Sequence, residues 1–408
     1  MTGDDGCFET GVRSCSGRWP AVPALWSYSS LKDMETCPLR WMLARAQYPE
    51  LWDRPGYPQA PAAATLFGDI VHAAVEVVLQ ALAAAGCPSS GSAEVVAVLR
   101  TLGGYTAILE QALSYRLQRL VGNPRLTEAR LHAYRRTLTE RLQEARVQVQ
   151  TIISRTALLP TPPLSPVEAY GDAKSERRAL GVGAHPEVEL VADDLRLHGR
   201  IDLLVVAATH AEITDFKTGD ADPSHVQQLR TYALLWDLDR VANPTRLPTA
   251  ELVIEYPDQQ VRQAAPSAAD LRTVEGEIAD RIARADAEII RQQPAAKPDV
   301  ETCRFCQVRH LCDDYWRQVA PSPLAVQVAE WFDYEGVLTA AVGVRGWAAT
   351  GPGGNGPDVL LRTAVPESDL RVGDRVRVLG VRRAADPDSD DIEVGMTVYS
   401  ELHVVDRH

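Results

Sequence analysis

We expect the 408-residue sequence to carry neither an export signal nor a membrane anchor. No apolar run approaches the roughly 20 residues that a helix needs to span a bilayer. The opening stretch, MTGDDGCFETGVRSCSG, is polar and acidic, whereas a signal peptide has a basic segment followed by an apolar one. We therefore predict a cytoplasmic protein without a membrane partner.

The sequence also lacks the signature of a nucleotide-driven motor. It contains no G-x₄-G-K-[ST] phosphate loop, no internal repeat and no long low-complexity block. A helicase that works with this protein is therefore expected to be a separate partner. At this length the chain can bury a large core, and we expect two or more domains.

Positive charge is scarce overall, since the formal net charge is −13 at pH 7. This argues against a generally basic protein but leaves room for a local nucleic-acid track. From Arg116 to Arg155 there are nine arginines, three glutamates and no aspartate. Such a stretch is either an ordinary solvated helix face or a path for nucleic acid. In the second case four arginines are the candidate contacts: Arg116, Arg119, Arg135 and Arg136.

Three regions of the chain differ in texture. Residues 1–26 predict a flexible tail. Residues 27–320 predict an α/β domain, whose insertion at about 90–180 is helical and ends in the Pro-rich stretch LLPTPPLSPVEAYGD. Residues 324–408 contain short strand-like runs separated by Gly, Pro and Asp turns, which is typical of a small antiparallel barrel.

Two helices are expected early in the α/β region. SYSSLKDMETCPLRWMLARAQYP predicts a single helix with Ser29 or Ser30 as its N-cap. LFGDIVHAAVEVVLQALAAAG predicts a second helix that ends at Gly86. His72 lies on this second helix, where it is either an ordinary packed or surface histidine or a metal ligand.

Two β-prone runs, LRLHGRIDLLVVA and AEITDFK, flank a short turn and predict an antiparallel hairpin. Pairing Val206 with Ala211 would place Asp202 opposite Asp215, with both side chains on one face. Directly opposed residues have Cβ atoms roughly 4.5–5.5 Å apart. Lys217 follows Asp215 by two residues, so it would project from the same face.

Two carboxylates that face each other destabilise a sheet unless they share a proton or hold a cation. Mg²⁺ takes oxygen ligands and is commonly held by one or two carboxylates together with phosphate and water. A lysine beside such an ion can orient attacking water or offset charge on a phosphate in the transition state. The pattern therefore indicates metal-assisted phosphodiester hydrolysis; the alternative is an exposed hairpin end with ordinary surface charges.

A further helix, predicted by PSHVQQLRTYALLWDL, follows the second strand. Gln228 and Tyr232 are four residues apart, so they share one face of this helix. They are either the polar boundary of an amphipathic helix or a pair that aims an amide and a hydroxyl at a bound strand.

Four cysteines have spacing that favours a metal site. Cys303, Cys306 and Cys312 form a C-x₂-C-x₅-C pattern, and Cys37 lies far upstream. In a cytosolic chain such spacing favours a metal or cluster over disulfides. Four thiolates can hold Zn²⁺ or an iron–sulfur cluster, and the spacing leaves that choice open. The other cysteines are expected to be unliganded: Cys7, Cys15 and Cys87.

In this order, the segments SYSSLKDMETCPLRW, FGDIVHAAVE, GRIDLLVV, ITDFKTG, QLRTY and CRFCQVRHLC resemble the RecB-like branch of the PD-(D/E)XK nucleases. The resemblance covers about residues 27–316. It is to the iron–sulfur members, which include the AddB nuclease domain and the CRISPR-associated adaptation nuclease. We therefore predict an α/β, restriction-endonuclease-like PD-(D/E)XK core with a helical insertion, followed by a small all-β, OB-like barrel.

The resemblance implies a role for each residue of the hairpin and the two helices. Asp202, Asp215 and His72 would bind Mg²⁺ or Mn²⁺, and Lys217 would be the catalytic lysine. The Gln-x₃-Tyr pair of the following helix would lie beside the substrate strand. The long Arg-rich insertion and the region after Pro323 lie outside the core family pattern. An OB-like barrel there would bind single strands or dock a protein.

The resemblance further implies a 4Fe–4S cluster, mainly structural, held by four residues: Cys37, Cys303, Cys306 and Cys312. The implied activity is that of a metal-dependent DNA nuclease. It would be exonuclease-like, act on single strands or ends, and serve DNA repair, recombination or phage defence. One alternative is a non-catalytic iron–sulfur DNA-binding subunit of a repair, adaptation or defence complex. Another is a zinc-stapled binding module.

Overall fold

The structure is a computed structural model that describes residues 19–159, 177–292, 294–352, 356–367, 369–384 and 392–406. Cys7, Cys15, most of the predicted tail and most of the Pro-rich stretch lie outside the described residues. The α-helices within the described residues are α1 (Tyr28–Thr36), α2 (Pro38–Arg45), α3 (Ala63–Ala84), α4 (Ala93–Thr101), α5 (Gly104–Arg119), α6 (Glu128–Glu140), α7 (Leu142–Arg155), α8 (Pro223–Leu238), α9 (Ala268–Arg291), α10 (Val300–Cys303) and α11 (Asp313–Gln318). The strands are β1 (Gly183–Ala192), β2 (Leu197–Val206), β3 (Ala211–Phe216), β4 (Thr249–Glu255), β5 (Gln260–Ala264), β6 (Trp331–Val342), β7 (Gly346–Thr350), β8 (Val359–Arg362), β9 (Arg375–Arg383), β10 (Ile392–Gly395) and β11 (Glu401–Asp406).

The first five strands form one sheet with helices on both faces. The strand order is β1-β2-β3-β4-β5, and the neighbours are antiparallel except for the parallel pair β3–β4. Leu203 and Val205 of β2 face a core shared with α3 and the insertion helices α4 to α7. Leu204 and Val206 alternate with them and face a second core shared with α1, α8 and α9. The predicted mixed α/β architecture is therefore confirmed.

The predicted β2–β3 hairpin is present in the expected register. Val206 pairs with Ala211, and Leu204 pairs with Ile213. The ladder ends one step later, so the two aspartates lie just beyond the last pair rather than within the ladder. The strands separate at the place where the two carboxylates would otherwise face each other.

A helix that the sequence predicts as continuous is broken at Cys37. This residue is extended, with φ −161° and ψ 105°, and it separates α1 from α2. Pro38 explains the break, because proline disfavours helical backbone in the preceding residue but fits the first turn of a helix. The N-cap of α1 is Ser27, whose hydroxyl accepts a hydrogen bond from the backbone N–H of Ser30. Neither Ser29 nor Ser30 has that role.

The expectation that no apolar run approaches membrane-spanning length is wrong for α3. Its 22 residues are long and apolar enough to cross a bilayer by length and composition. In the folded chain, 56% of its apolar window is buried. α3 packs against α5, α7 and β1, which is the environment of a core helix.

The last six strands form a second sheet with its own core. The strand order is β10-β8-β7-β6-β9-β11, with β8 and β10 parallel. β10 additionally pairs with β9, through Val394–Arg383 and Gly395–Arg382. The structure thus establishes a six-stranded sheet in this region, without establishing the predicted OB-type barrel.

Buried ion pairs attach this second sheet to the rest of the chain. Glu401 of β11 lies 2.7 Å from Arg125 and 2.9 Å from Arg130, at the start of α6. Asp333 of β6 accepts hydrogen bonds from Arg309 and Tyr315, beside the clustered cysteines. The insertion and the cysteine-rich segment are therefore both held by the second sheet.

Candidate active site

Asp215 and Lys217 meet at the end of β3. The Asp215 side chain is 2% exposed, and its Oδ2 lies 2.6 Å from Lys217 Nζ. This contact is an ion pair without hydrogen-bond angles, so Oδ2 has no hydrogen-bond partner among the described residues. A buried carboxylate oxygen ordinarily has one. Asp215 Oδ2 is therefore buried with an ion pair but without a hydrogen bond.

Asp202 lies beside this pair at the end of the hairpin. Its Oδ2 accepts a 2.6 Å hydrogen bond from the backbone N–H of Phe216. Burial, followed by the nearby charge of Asp215, raises the pKa of Asp202 well above its ordinary value. Two adjacent carboxyl groups that resist joint ionisation bind either a proton or a cation.

A chain of hydrogen bonds extends from Lys217 into α8. Lys217 Nζ donates to Gln228 Oε1 at 3.1 Å, and Gln228 Nε2 donates to Tyr232 Oη at 2.7 Å. Burial, followed by the Asp215 charge, raises the pKa of Tyr232. The structure thus joins both members of the Gln-x₃-Tyr pair to the lysine in one chain of hydrogen bonds.

Gly199 allows α8 to approach the sheet closely. A Cβ atom at this position would lie 2.9 Å from Tyr232 Cε1 and 2.8 Å from Leu235 Cδ1. These separations are shorter than carbon atoms tolerate, so a larger residue would push α8 away. The glycine of the GRID segment therefore sets the depth at which Tyr232 packs.

His72 approaches the same site from α3. Burial lowers the pKa of His72, the Asp215 charge opposes this shift, and the Lys217 charge adds to it. One turn earlier on α3, a Cβ atom at Gly68 would lie 2.7 Å from Thr218 Oγ1. The lack of a side chain at Gly68 therefore lets α3 pack closely against the turn that follows Lys217. The imidazole is consequently near both members of the ion pair.

Glu187 is a neighbour of the site that the sequence analysis missed. It has a left-handed backbone, with φ +55°, and lies across from Asp202 between two paired positions of β1 and β2. Arg200 Nε contacts its carboxylate at 2.5 Å. Its charge adds to the increase in the pKa of Asp202. No spacing rule identifies this residue, because its position depends on the pairing of β1 with β2.

The comparison with family models decides the family. The model of the PD-(D/E)XK nuclease superfamily matches residues 25–313. The chain belongs to the PD-(D/E)XK nuclease superfamily. The match includes all the acidic, lysine, histidine and cysteine candidates described above. Members of this superfamily are generally metal-dependent nucleases that use Mg²⁺ or Mn²⁺.

Similarities to other known proteins are weak. No curated protein matches the chain. Among solved structures, the chain is similar to the tetrameric p202 HIN2, at 12% identity over 19% of this chain and 43% of that one, with a TM-score of 0.17. It is also similar to SSO0001, at 19% identity over 32% of this chain and 59% of that one, with a TM-score of 0.20. A murine DNA binding protein bound with ds DNA is similar at 9% identity over 55% of this chain and 94% of that one, with a TM-score of 0.17. TM-scores this low carry no argument about fold or function.

The acidic residues of this PD-(D/E)XK protein have the donor types that a hard divalent cation takes. Asp202 and Asp215 supply carboxylate oxygens, one of which is buried without a hydrogen bond, and His72 supplies a ring nitrogen. No group of three or more His, Cys, Asp or Glu in the described part of the chain has the arrangement of an assembled metal site. The types of ligand atom in this site therefore suit such a cation. In this structure the Lys217 ammonium lies beside Asp215 Oδ2.

The four spaced cysteines line one cavity of the PD-(D/E)XK protein. Cys37 Sγ, at the N-terminus of α2, accepts a 3.4 Å hydrogen bond from the backbone N–H of Arg40. Burial raises the pKa of the Cys306 thiol to about 12 and that of the Cys312 thiol to about 11. Cys303, the fourth member, accepts a backbone N–H at 3.4 Å. These thiols have the donor chemistry that a thiophilic metal or cluster takes, but the described residues do not hold them in the arrangement of an assembled site. Cys87 is buried away from them and is free.

The four candidate arginines of the insertion differ in their surroundings. Arg119, Arg135 and Arg136 are exposed. Arg119 also packs over Tyr115, with its guanidinium carbon 5.8 Å from the ring centre. Arg116 is half-buried, and its Nε has no hydrogen-bond partner among the described residues. Arg116 therefore differs from the other three arginines in its burial.

Proposed function

We propose that this PD-(D/E)XK protein is a metal-dependent DNA nuclease, exonuclease-like, that acts on single strands or ends. One observation carries the proposal. A buried aspartate, whose Oδ2 accepts no hydrogen bond, forms an ion pair with a lysine that is itself held by Gln228. A purely structural ion pair does not need a second carboxyl group beside it, yet Asp202 is there. The set matches what phosphodiester hydrolysis requires.

Each residue of the candidate site has a specific role in this proposal. Asp202, Asp215 and His72 would hold Mg²⁺ or Mn²⁺, which when bound supplies Lewis-acid activation of water and phosphate. Lys217 would stabilise the negative charge that develops on the phosphate oxygens. Gln228 orients the lysine ammonium through its amide oxygen. Tyr232 in turn fixes that amide by accepting its N–H, so the orientation exists before substrate binds.

The four cysteines would hold a 4Fe–4S cluster with a structural role. Support comes from their common cavity and from the backbone N–H groups directed at two of the sulfur atoms. Because Cys37 lies 266 residues before Cys303, such a cluster would join the start of the domain to its end. Zn²⁺ on the same thiols is the competing occupant.

The second sheet would be a five-stranded OB-type barrel with β11 added at its edge. Support comes from the additional β9–β10 pairing, since it joins β10 to β9 as well as to β8. Trp331, which is 56% exposed on β6, offers a ring for base stacking. The protein would then act on strands delivered in the cytoplasm by a repair, recombination or phage-defence complex with a separate helicase.

A nuclease assay with matched lysine variants tests the proposed function. End-labelled single- and double-stranded DNA is incubated with Mg²⁺ or Mn²⁺ and with wild type, Lys217→Ala or Lys32→Ala. Lys32 is half-exposed and pairs with Asp222, so its loss controls for removal of a lysine charge. We expect wild type and Lys32→Ala to cut and Lys217→Ala to lose at least about 100-fold in rate. The label pattern gives the polarity.

Two results would reject the proposal. Equal cutting by wild type and Lys217→Ala would assign the activity to a contaminant or another site. DNA binding without cutting by any preparation would favour the non-catalytic iron–sulfur subunit.

A further inference from the structure

His225 lies one helical turn before Gln228 on α8. Residues three apart in a helix are neighbours on its surface, with Cβ atoms about 5–6 Å apart. Gln228 accepts the hydrogen bond from the Lys217 ammonium, so this side of α8 faces the candidate active site. The His225 side chain is half-buried there, next to the contact between the glutamine and the lysine.

Tyr256 contacts His225 from the end of β4. The backbone C=O of Glu255, the last residue of β4, accepts a 2.8 Å hydrogen bond from the backbone N–H of Lys217. Tyr256 follows directly, and its hydroxyl oxygen lies 2.8 Å from His225 Nδ1. Lys217 is therefore joined to the neighbours of His225 twice, through Gln228 on α8 and through the backbone of β4. These two links place the imidazole beside the candidate active site.

The contact with Tyr256 determines which ring nitrogen of His225 carries a hydrogen. Tyr256 is 3% exposed, and Nδ1 is the only acceptor for its O–H among the described residues. Because a buried hydroxyl ordinarily donates a hydrogen bond, Tyr256 is the donor and Nδ1 the acceptor. The hydrogen of the neutral ring is then on Nε2. A charged ring carries a hydrogen on Nε2 as well, so this donor is present in both forms.

The Nε2 donor of His225 is accessible to a ligand. It has no hydrogen-bond partner among the described residues, and it is not covered from solvent. The ring itself is held by Tyr256, with the two ring centres 5.8 Å apart. The backbone of this turn is held by α1, since Tyr28 Oη donates a 3.0 Å hydrogen bond to the C=O of Ser224. The donor is therefore fixed in place before a ligand binds.

The side-chain charges around His225 are paired with one another. Asp215 pairs with Lys217 at 2.6 Å, and Asp222, the N-cap of α8, pairs with Lys32 at 3.9 Å. A divalent cation on the aspartates of the site would leave an excess of positive charge, which favours an anionic ligand. An accessible N–H donor at this place therefore suits an oxygen of a phosphate.

We propose that His225 is a substrate-binding residue whose Nε2–H donates to an oxygen of the phosphate next to the one that is cut. The inference rests on the proposed function and adds a named phosphate position to it. Because Lys217 is assigned to the phosphate that is cut, the neighbouring donor meets the next phosphate of the strand. A hydrogen bond to a phosphate oxygen is charge-assisted, and it positions a strand without reading its sequence.

A binding experiment isolates this contact from the cutting step. Fluorescence anisotropy with an end-labelled single-stranded oligonucleotide is measured in Ca²⁺ for wild type, His225→Ala, Tyr256→Phe and His210→Ala. His210 is exposed and precedes β3, at the end of the strand opposite Lys217, so it controls for the loss of a histidine. We expect His225→Ala to weaken binding about 10-fold, the usual effect of losing a hydrogen bond to a charged group. His210→Ala should stay within about 2-fold.

Tyr256→Phe tests whether the hydroxyl holds the imidazole. It should weaken binding about 3-fold, because the ring loses its fixed orientation and its preference for hydrogen on Nε2. In the double variant with His225→Ala, the tyrosine change should add nothing, since the ring that it orients is gone. Additive losses in the double variant would contradict this arrangement.

Neutral methylphosphonate linkages, placed singly along the oligonucleotide, identify the phosphate. One linkage should weaken wild-type binding about 10-fold and leave binding by His225→Ala unchanged, because the donor is already absent. A different linkage should have no effect on Lys217→Ala. Melting temperatures verify folding. If His225→Ala does not fold, His225→Phe replaces it, because phenylalanine keeps a ring without a donor.

Three results would overturn the proposal. In the first, His225→Ala binds like His210→Ala. In the second, every linkage weakens wild type and His225→Ala equally. In the third, His225→Ala and Lys217→Ala become insensitive to the same linkage, which would assign both residues to one phosphate.

A parallel cleavage assay in Mg²⁺ separates this inference from the function on which it rests. Absence of cutting by wild type would reject the proposed nuclease, while the linkage scan still decides the phosphate contact. Cutting by wild type combined with an unaltered linkage profile in His225→Ala would keep the nuclease and reject the contact. Absence of DNA binding by wild type would reject both.

Discussion

The ammonium nitrogen of Lys217 lies 3.1 Å from the amide oxygen of Gln228 and donates a hydrogen bond to it. The other end of the same amide donates to Tyr232. An amide that is used at both ends has only one orientation, so Lys217 is held by a fixed acceptor. The glutamine is consequently a positioning residue for the lysine.

Replacing Gln228 by leucine should slow cutting without abolishing binding. The lysine would keep its ion pair with Asp215 but lose its second anchor. We expect kcat to fall about 10- to 100-fold, the usual cost of losing a supporting contact, with KM changed less than about 3-fold. Single-turnover rates with Gln227→Leu as the exposed control measure this. Equal rates for the two variants would show that the lysine does not need the amide.

Asp202 should make the stability of the metal-free protein depend on pH. Its pKa is raised in the folded state, by burial first and by Asp215 second. The unfolded chain therefore releases this proton at a lower pH than the folded chain does. As a result, the free energy of unfolding falls as the pH rises from about 4 to the folded pKa. Asp202→Asn should flatten this decline and raise Tm at pH 7, by about 2–4 °C for each kcal/mol recovered.

Calorimetry from pH 4 to 8 with a chelator tests this, and the exposed Asp193→Asn is the control. Adding Mg²⁺ should then raise the Tm of wild type and of Asp193→Asn more than that of Asp202→Asn, because a ligand stabilises the state that binds it. A parallel pH dependence in all three proteins would contradict the assignment.

Glu401→Gln should destabilise the protein strongly at neutral pH. The change leaves Arg125 and Arg130 buried without their carboxylate, which typically costs about 3–5 kcal/mol in the free energy of unfolding. Glu393→Gln is the control in the same sheet; its partner Arg362 is half-exposed, so we expect a loss below about 1 kcal/mol. Urea unfolding at pH 7 distinguishes the two.

The effect of Glu401 also has a definite sign with pH. Burial alone would raise its pKa, but His403 and the two arginines lower it overall. A depressed folded pKa contributes stability above about pH 4.5 that is lost as the pH falls. The difference between wild type and Glu401→Gln should therefore shrink in acid. A difference that is constant from pH 7 to pH 4 would argue that shape, not charge, is responsible.

Cys37→Ser should remove a metal or cluster and part of the stability. We expect anaerobically purified wild type to be brown and to contain iron, and the variant to lose both the colour and about 10 °C or more in Tm, because site formation is coupled to folding. Cys87→Ala is the control, since Cys87 is buried and outside the cavity of the four cysteines. If wild type is colourless and contains zinc, the site binds Zn²⁺ rather than a cluster. An unchanged metal content in Cys37→Ser would exclude this residue as a ligand.

Residues that depend on local periodicity could be predicted from the sequence. The alternation of β2 and β3 permits one register that buries Leu204 and Ile213, and this register brought Asp202 near Asp215. The four-residue spacing likewise placed the glutamine and tyrosine on one face of α8.

Residues that depend on distant pairing could not be found in this way. Glu187 faces the site only because β1 pairs with β2, and its left-handed backbone gives no sequence signal. The break at Cys37 is different, since Pro38 already indicates it and local helical periodicity outweighed that signal. Arg116 was one of four equivalent arginines until the packing of α5 on α3 distinguished it.

The ion pairs of Glu401 with Arg125 and Arg130 have a consequence for folding during synthesis. Arg125 precedes Glu401 by 276 residues. At synthesis rates of about 5–20 residues per second, the arginine waits roughly 15–55 seconds for its partner. During that interval Arg125 and Arg130 lack the carboxylate with which they pair in the folded chain. We therefore expect the insertion to reach its final packing only after β11 has left the ribosome.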